Sequence, residues 1–261
     1  MSVPHVDVRA LFDLTNRTAL VTGGSRGLGL ETAMALSEAG AAVAIMGRRM
    51  SWLTSAAEEL RRRGHSCRII EGDVADAAQA TRAVRDTIEA LGGLDILVNN
   101  AGISWGAPAD ELPVEKWNEV LATNVTGTFL MAQAAMRVMR KGGGTIINVA
   151  SVAGVVGTAP EVLDATGYAA SKGAVIALTR DLAVKWARHG IRVNAIAPGF
   201  FDTRMSTKVI EQGRARIERL TPMARIGRPG ELGDVVVFLA SDAARYMTGH
   251  VLPVDGGMLA W

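Results

Sequence analysis

The sequence predicts an α/β fold, a doubly wound parallel sheet with helices on both faces, and three observations predict it. Short apolar runs alternate with helix-length segments along the 261-residue chain. The runs are apolar at successive positions rather than at every second one, as strands buried on both faces require. No linker, low-complexity tract or internal repeat divides the chain, so a single domain over 1–261 is expected, a length that α/β folds reach as one unit.

The elements follow in order behind an N-terminal extension over 1–11. The first apolar run, Thr18–Thr22, leads into Thr22-Gly23-Gly24-Ser25-Arg26-Gly27-Leu28-Gly29 and then a helix over 27–39. Ala42–Met46 is the second strand, followed by a helix over 51–63. That helix ends on Arg61-Arg62-Arg63 before Gly64, where cations complement the helix dipole. Cys67–Glu71 is the third strand, with Cys67 expected to be buried, and a helix over 76–91 follows. Leu94–Val98 is the fourth, and the segment 114–139 reads as one helix. The fifth strand, Thr145–Val149, lies in an uncharged span over 142–160. That span holds five glycines, Asn148, Ser151 and Pro160, and so reads as a buried strand plus loop rather than a membrane crossing. The helix over 168–189 is apolar nearly all round through Val175, Ile176, Leu178, Leu182, Val184 and Trp186, which predicts burial on two sides. After the sixth strand, Arg192–Ile196, the charged and arginine-rich segment Asp202–Leu220 has the composition of a mobile lid. A helix over 230–240 and a seventh strand, His250–Val254, close the chain.

Composition excludes several classes. A net charge of +2 without a basic stripe argues against nucleic-acid binding. The single cysteine excludes intrachain disulfides and cysteine-rich metal sites. Histidines 5, 65, 189 and 250 show no ligand spacing, so no metal is expected. The first residues lack the apolar core of a signal peptide, and a cytoplasmic location is expected.

Two motifs carry chemistry. A glycine-rich turn between a strand and a helix lets backbone approach a pyrophosphate and aims helix N–H groups at it. Gly23, Ser25, Arg26, Gly27, Leu28 and Gly29 form such a turn, spaced Gly-x-x-x-Gly-x-Gly. At the end of the second strand, Gly47-Arg48-Arg49 carries no carboxylate to accept from ribose hydroxyls. Arg48 or Arg49, together with Arg26, suits a 2′-phosphate, and this favours NADP(H) over NAD(H); two solvated arginines are the rival reading. The second motif is Tyr168-Ala169-Ala170-Ser171-Lys172, which places a phenol and an ammonium one helical turn apart. A neighbouring ammonium favours the phenolate of a side chain that otherwise titrates near ~10.

Taken together, the glycine loop, Asn99-Asn100-Ala101-Gly102, Asn124, Ser151, Tyr168-x-x-x-Lys172 and Pro198-Gly199 resemble the short-chain dehydrogenases/reductases. The likeness runs over about residues 12–258 and is strongest to the gluconate 5-dehydrogenase-like and 3-oxoacyl-acyl-carrier-protein reductase groups. The resemblance implies a seven-stranded Rossmann fold, a catalytic tetrad and a homotetramer. It implies Tyr168 as general acid or base, Ser151 as hydrogen-bond donor to the substrate oxygen, and Lys172 as the group that lowers the tyrosine and holds the nicotinamide ribose. Asn124 would anchor a water linking Lys172 to solvent. Asp73 and Val74 would flank adenine, Asn100, Ala101 and Gly102 the cofactor groove, and Pro198, Gly199, Phe201 and Thr203 the nicotinamide end. The Ser151–Tyr168 interval is longer than the family usually shows. Its extra loop offers Glu161 or Asp164 to a substrate, with simple solvation as the alternative. Trp105 is expected to wall the substrate pocket, and the tail Val251–Trp261 to meet another subunit.

The reading is an NADP(H)-dependent oxidoreductase interconverting a ketone and a secondary alcohol, with no metal and a small-molecule carbonyl or alcohol partner. A 3-oxoacyl-thioester reductase and a non-catalytic dinucleotide sensor are the alternatives. A sugar-nucleotide epimerase is discounted, because only about sixty residues follow Pro198-Gly199.

Overall fold

The computed structural model describes residues 7–261; residues 1–6 of the expected N-terminal extension lie outside them. Seven strands form one parallel sheet in the order β3-β2-β1-β4-β5-β6-β7. They are β1 Thr18–Thr22, β2 Ala42–Gly47, β3 Cys67–Glu71, β4 Ile96–Asn99, β5 Gly144–Val149, β6 Ile191–Pro198 and β7 Val251–Val254. Every pairing is parallel, with β1 between β2 (Ala19 opposite Val43) and β4 (Ala19 opposite Ile96).

The central strands hold this arrangement because both their faces are apolar and buried. Ala19 and Val21 of β1 pack into one cluster with Leu36 and Val236, while Leu20 packs into the other with Met131 and Leu182. The first layer is built from α1 Gly27–Glu38, α2 Met50–Arg62 and α8 Gly233–Ala240, the second from α3 Ala77–Leu91, α5 Gly127–Met139 and α6 Thr166–Trp186. Helix ends follow local chemistry. Asp76 accepts from the N–H groups of Ala78 and Gln79 at 2.8 and 2.9 Å and starts α3; Gly92, at φ +85°, ends it. Arg62 and Arg63 close α2 by pairing with Glu59.

Three expectations need correction. The segment 114–139 is not one helix: α4 Val114–Leu121 and α5 are joined by a π-helical turn over Ala122–Thr126. The widened turn delivers the buried side chain of Asn124 to Ile103 and Ser171, a local demand that apolar periodicity does not encode. The charged segment 202–220 is largely a helix, α7 Thr207–Leu220. Its only buried residues are Ile210 and Ile217, which pack on Val162, and so thin an apolar stripe hid the helix in the sequence. Cys67 is half-buried rather than buried, because it opens β3 at the sheet edge. The second contact expected for α6 is not made within the chain: one flank faces solvent, with Val184 81 % exposed. Among the described residues, no helix is long and apolar enough to cross a membrane.

Candidate active site

Strand order reverses at β1, whose neighbours β2 and β4 lead their crossovers to opposite faces; the crevice beyond these carboxyl ends is where such sheets bind ligands. A cleft of about 980 Å³ opens there. Every residue assigned above to the cofactor lines it, from Arg48 and Asp73 at one end to Pro198, Phe201 and Thr203 at the other.

Its floor is backbone. A Cβ on Gly29 would lie 2.3 Å from the Gly23 carbonyl, and one on Gly23 would lie 2.9 Å from Ala101 Cα. Gly23 and Gly27 also take positive φ, +64° and +54°. Only glycine therefore lets the turn close this tightly. Thr22 and Asn100 tie it to the β4 loop. The Thr22 hydroxyl accepts from the N–H groups of Asn100 and Ala101, both at 3.1 Å, and Asn100 Nδ2 donates to the carbonyls of Thr22 and Gly23. α1 begins at Gly27 with no side chain capping its first N–H groups, so an anion in the cleft meets free donors. These features fit a dinucleotide diphosphate.

Four arginines line the cleft at its Asp73 end. Arg48 lies 3.7 Å from Asp73, while the guanidinium carbons of Arg26, Arg49 and Arg204 lie 3.8, 4.0 and 5.5 Å from the Trp52 ring. Burial, and after it the charges of Arg204, Arg49 and Arg48, hold the Arg26 guanidinium below its ordinary value.

Ser151, Tyr168 and Lys172 meet on the opposite wall. Ser151 follows β5, and its Oγ accepts from the Ala153 N–H at 3.2 Å. Gly154 then lies directly on the α6 backbone, where a Cβ would be 2.5 Å from the Lys172 carbonyl carbon. This contact brings the Ser151 loop against the first turns of α6. Tyr168 is half-buried there and hydrogen-bonded to Ser151. Lys172 Nζ donates to the Val149 carbonyl at 2.6 Å and sits 5.5 Å from the Tyr168 ring centre.

Burial shifts both titratable groups of this wall. Burial raises the Tyr168 phenol above its ordinary value, the hydrogen bond with Ser151 offsetting only part of that. Burial also pulls the Lys172 ammonium down to about 8. Burial is the leading cause for both groups and disfavours the charged form of each, so the phenol stays protonated at neutral pH.

Asn124 does not line the cleft; it stands behind the Ile103 segment. Its Oδ1 accepts from the Ile103 N–H at 2.8 Å, and Nδ2 donates to the Ile103 carbonyl and to Ser171 Oγ, both at 2.9 Å. Ser171 in turn donates to the Tyr168 carbonyl at 2.7 Å. Asn99 belongs to the core, donating to Asn148 at 2.9 Å.

At the far end, Glu161 and Asp164 both border the cleft. Glu161 pairs with Arg216 of α7 at 3.2 Å, and the Asp164 carbonyl accepts from the Ala107 N–H at 3.0 Å. Trp105 does not wall the pocket. It is 43 % exposed on the outer surface, 4.5 Å from Lys116 Nζ, because the backbone bridge of Ala107 to Ala165 turns its segment outward. Sequence reasoning missed Trp52, Arg204 and Ser171. Only Ser171 left a signal, lying inside the Tyr-x-x-x-Lys spacing.

The family model described as enoyl-(acyl carrier protein) reductase matches residues 23–259. Galactitol 2-dehydrogenase (L-tagatose-forming) of Cereibacter sphaeroides is 41 % identical over 259 residues, covering 98 % of this chain and 100 % of that one. The rhamnolipids biosynthesis 3-oxoacyl-acyl-carrier-protein reductase of Pseudomonas aeruginosa is 40 % identical over 253 residues, covering 94 % of this chain and 97 % of its own. The crystal structure of a gluconate 5-dehydrogenase from Burkholderia cenocepacia, in complex with NADP and tartrate, superposes with a TM-score of 0.92 at 37 % identity, covering 98 % and 100 % of the two chains. The chain belongs to the short-chain dehydrogenase/reductase family and is an oxidoreductase acting on CH–OH groups.

Proposed function

We propose that this chain is an NADP(H)-dependent enzyme that interconverts a small hydroxylated ketone and its secondary alcohol, with Tyr168 as general acid in reduction and general base in oxidation. The observation that carries the reading is that Ser151, Tyr168 and Lys172 share one cleft with the glycine loop. The cofactor, when bound, supplies hydride to the carbonyl carbon or removes it from the alcohol carbon. Ser151 holds the substrate oxygen, where negative charge grows. Tyr168, kept protonated by burial, gives its proton to that oxygen, and takes it back from the alcohol in the reverse direction. Lys172 holds the nicotinamide ribose and feeds the tyrosine. Its Nζ and Asn124 Oδ1 both border Gly102, at 3.6 and 3.3 Å from where a Cβ would stand, which supports a water relay between them.

The four arginines and the NADP found in the Burkholderia cenocepacia structure support NADP(H) over NAD(H). Glu161, Asp164, Lys208 and Gln212 give the substrate end polar groups suited to hydroxyls, in keeping with the polyol relative. The Pseudomonas aeruginosa relative favours a second reading, reduction of a 3-oxoacyl thioester. Segment 202–220 acts as the substrate lid. The enzyme is a cytoplasmic homotetramer, a reading supported by the uncovered apolar flank of α6 and by the exposed Trp261.

The test is a panel of polyols, sugar acids, hydroxyketones and a 3-oxoacyl thioester, each run with NADPH or NADH while cofactor absorbance is followed. NADPH-dependent turnover of a hydroxylated ketone is expected; turnover of the thioester alone selects the second reading. Binding of NADPH without turnover of any compound would replace the enzyme by a sensor. Tyr168→Phe removes only the acidic proton, so kcat should fall by ~10²-fold or more with NADPH binding retained. A variant keeping over a tenth of the activity would exclude Tyr168 from its role.

A further inference from the structure

Arg204 lies at the root of the lid segment, just after Thr203, which sits across the glycine loop 3.5 Å from where a Gly27 Cβ would be. Its side chain reaches back to Trp52, in the first turn of α2, and joins Arg26 and Arg49 on the same indole. Three elements distant in sequence thus bring cations to one aromatic platform. Arg26, Arg49 and Arg204 take part in no ion pair among the described residues, whereas Arg48 is tied to Asp73. Cation–π contacts at exposed sites are weak and leave the mutual repulsion uncompensated. A dianion among the guanidinium groups would remove that repulsion and satisfy donors that face the cleft. The lid is otherwise lightly held, since α7 buries only Ile210 and Ile217.

We propose that Arg204 and Trp52 complete a cage for the adenosine 2′-phosphate and that this phosphate, once bound, latches the 202–220 segment over the cleft. The proposal rests on the NADP(H) reading above and adds lid residues to it. Cofactor choice then acts beyond affinity: a nucleotide without the 2′-phosphate fills the groove and leaves the lid unlatched. Trp52 serves as a positioning residue that aligns the guanidinium groups, while Arg204 touches the phosphate.

The test uses adenosine 2′,5′-bisphosphate against 5′-AMP on the full chain, with calorimetry for affinity and amide hydrogen exchange for residues 202–220. The wild type should bind the bisphosphate at least tenfold tighter, and only the bisphosphate should slow exchange in the lid. Arg204→Gln, a change at an exposed position, should weaken the bisphosphate about fivefold or more, abolish the slowing and leave 5′-AMP unaffected. Arg204→Lys should recover part of both. If Arg204→Gln keeps full affinity and full protection while the wild type still prefers the bisphosphate, the latch is wrong and the NADP(H) reading stands. If the wild type binds the two nucleotides equally, the NADP(H) reading falls and takes the latch with it.

Discussion

In the proposed chemistry Lys172 serves at a cost to the fold. Its ammonium is buried among protein atoms with one hydrogen bond, to the Val149 carbonyl. A fall from 10.5 to about 8 corresponds to ~3 kcal/mol of differential stabilisation. The folded value lies below the unfolded one, so the unfolded chain binds the extra proton between about pH 8 and 10.5, and stability rises with pH across that window. Lys172→Met should therefore be inactive yet more stable at pH 7. The gain should be ~1–2 kcal/mol once the orphaned Val149 carbonyl is counted, and it should vanish by about pH 10.5. Thermal unfolding at pH 7 and pH 10 measures this, and a variant less stable than wild type at pH 7 would contradict it. Arg48 offers a separate test at the same scale. Arg48→Asp puts a carboxylate where the 2′-phosphate is expected, so the ratio of kcat/KM values should move toward NADH by at least tenfold, about 1.4 kcal/mol. An unchanged ratio would make Arg48 merely the partner of Asp73.

Among the elements, α8 depends on a distant side chain. Leu232 at its start offers no side-chain cap; instead Glu31 Oε1, from α1, accepts from the N–H groups of Leu232 and Gly233, both at 3.1 Å. Gly233 permits this approach, since a Cβ there would stand 2.7 Å from Ala35 Cβ. Removing a cap of this kind costs about 1 kcal/mol, and ~2–4 °C in Tm for a chain of this size. Glu31→Ala should show that loss in a melting curve and Glu31→Gln much less of it; equal Tm values for all three proteins would mean that the contact contributes nothing. The π turn between α4 and α5 belongs to the same scale. Helical periodicity over 114–139 is continuous, and the extra residue in the turn is visible only once Ile103 and Ser171 are in place to receive Asn124.

For the whole molecule, the open question is what covers α5 and α6. Phe129 is 39 % exposed and Val184 81 % exposed, and between them Val125, Ala174, Ala177 and Leu178 line a shallow apolar groove. A self-complementary partner surface would bury this groove, and two such contacts of different kinds would build a closed tetramer. Light scattering should then give four chains of 27.5 kDa each, about 110 kDa. Ala177→Glu should shift the protein to a smaller species, because it buries a charge at the centre of the contact. A fully active wild-type monomer at micromolar concentration would refute the assembly.

The sequence by itself determined the sheet and the place of the candidate site. Apolar runs fixed the seven strands to within a residue or two, most firmly in the central strands, where burial on both faces leaves few polar positions. Glycine at 23 and 29 and the four-residue spacing of Tyr168 and Lys172 marked the cleft, since both reflect local geometry. Only the tertiary structure decided how these groups behave. Whether Tyr168 is raised or lowered depends on how much protein surrounds it, and in the folded chain burial raises it. Whether Trp105 or Trp52 faces the cleft depends on how its segment is turned, to which composition is blind. The meeting of Arg204 with Trp52, and of Glu31 with α8, joins residues far apart in the chain. Such contacts are set by strand order and by which apolar faces pack together, and no local periodicity records either.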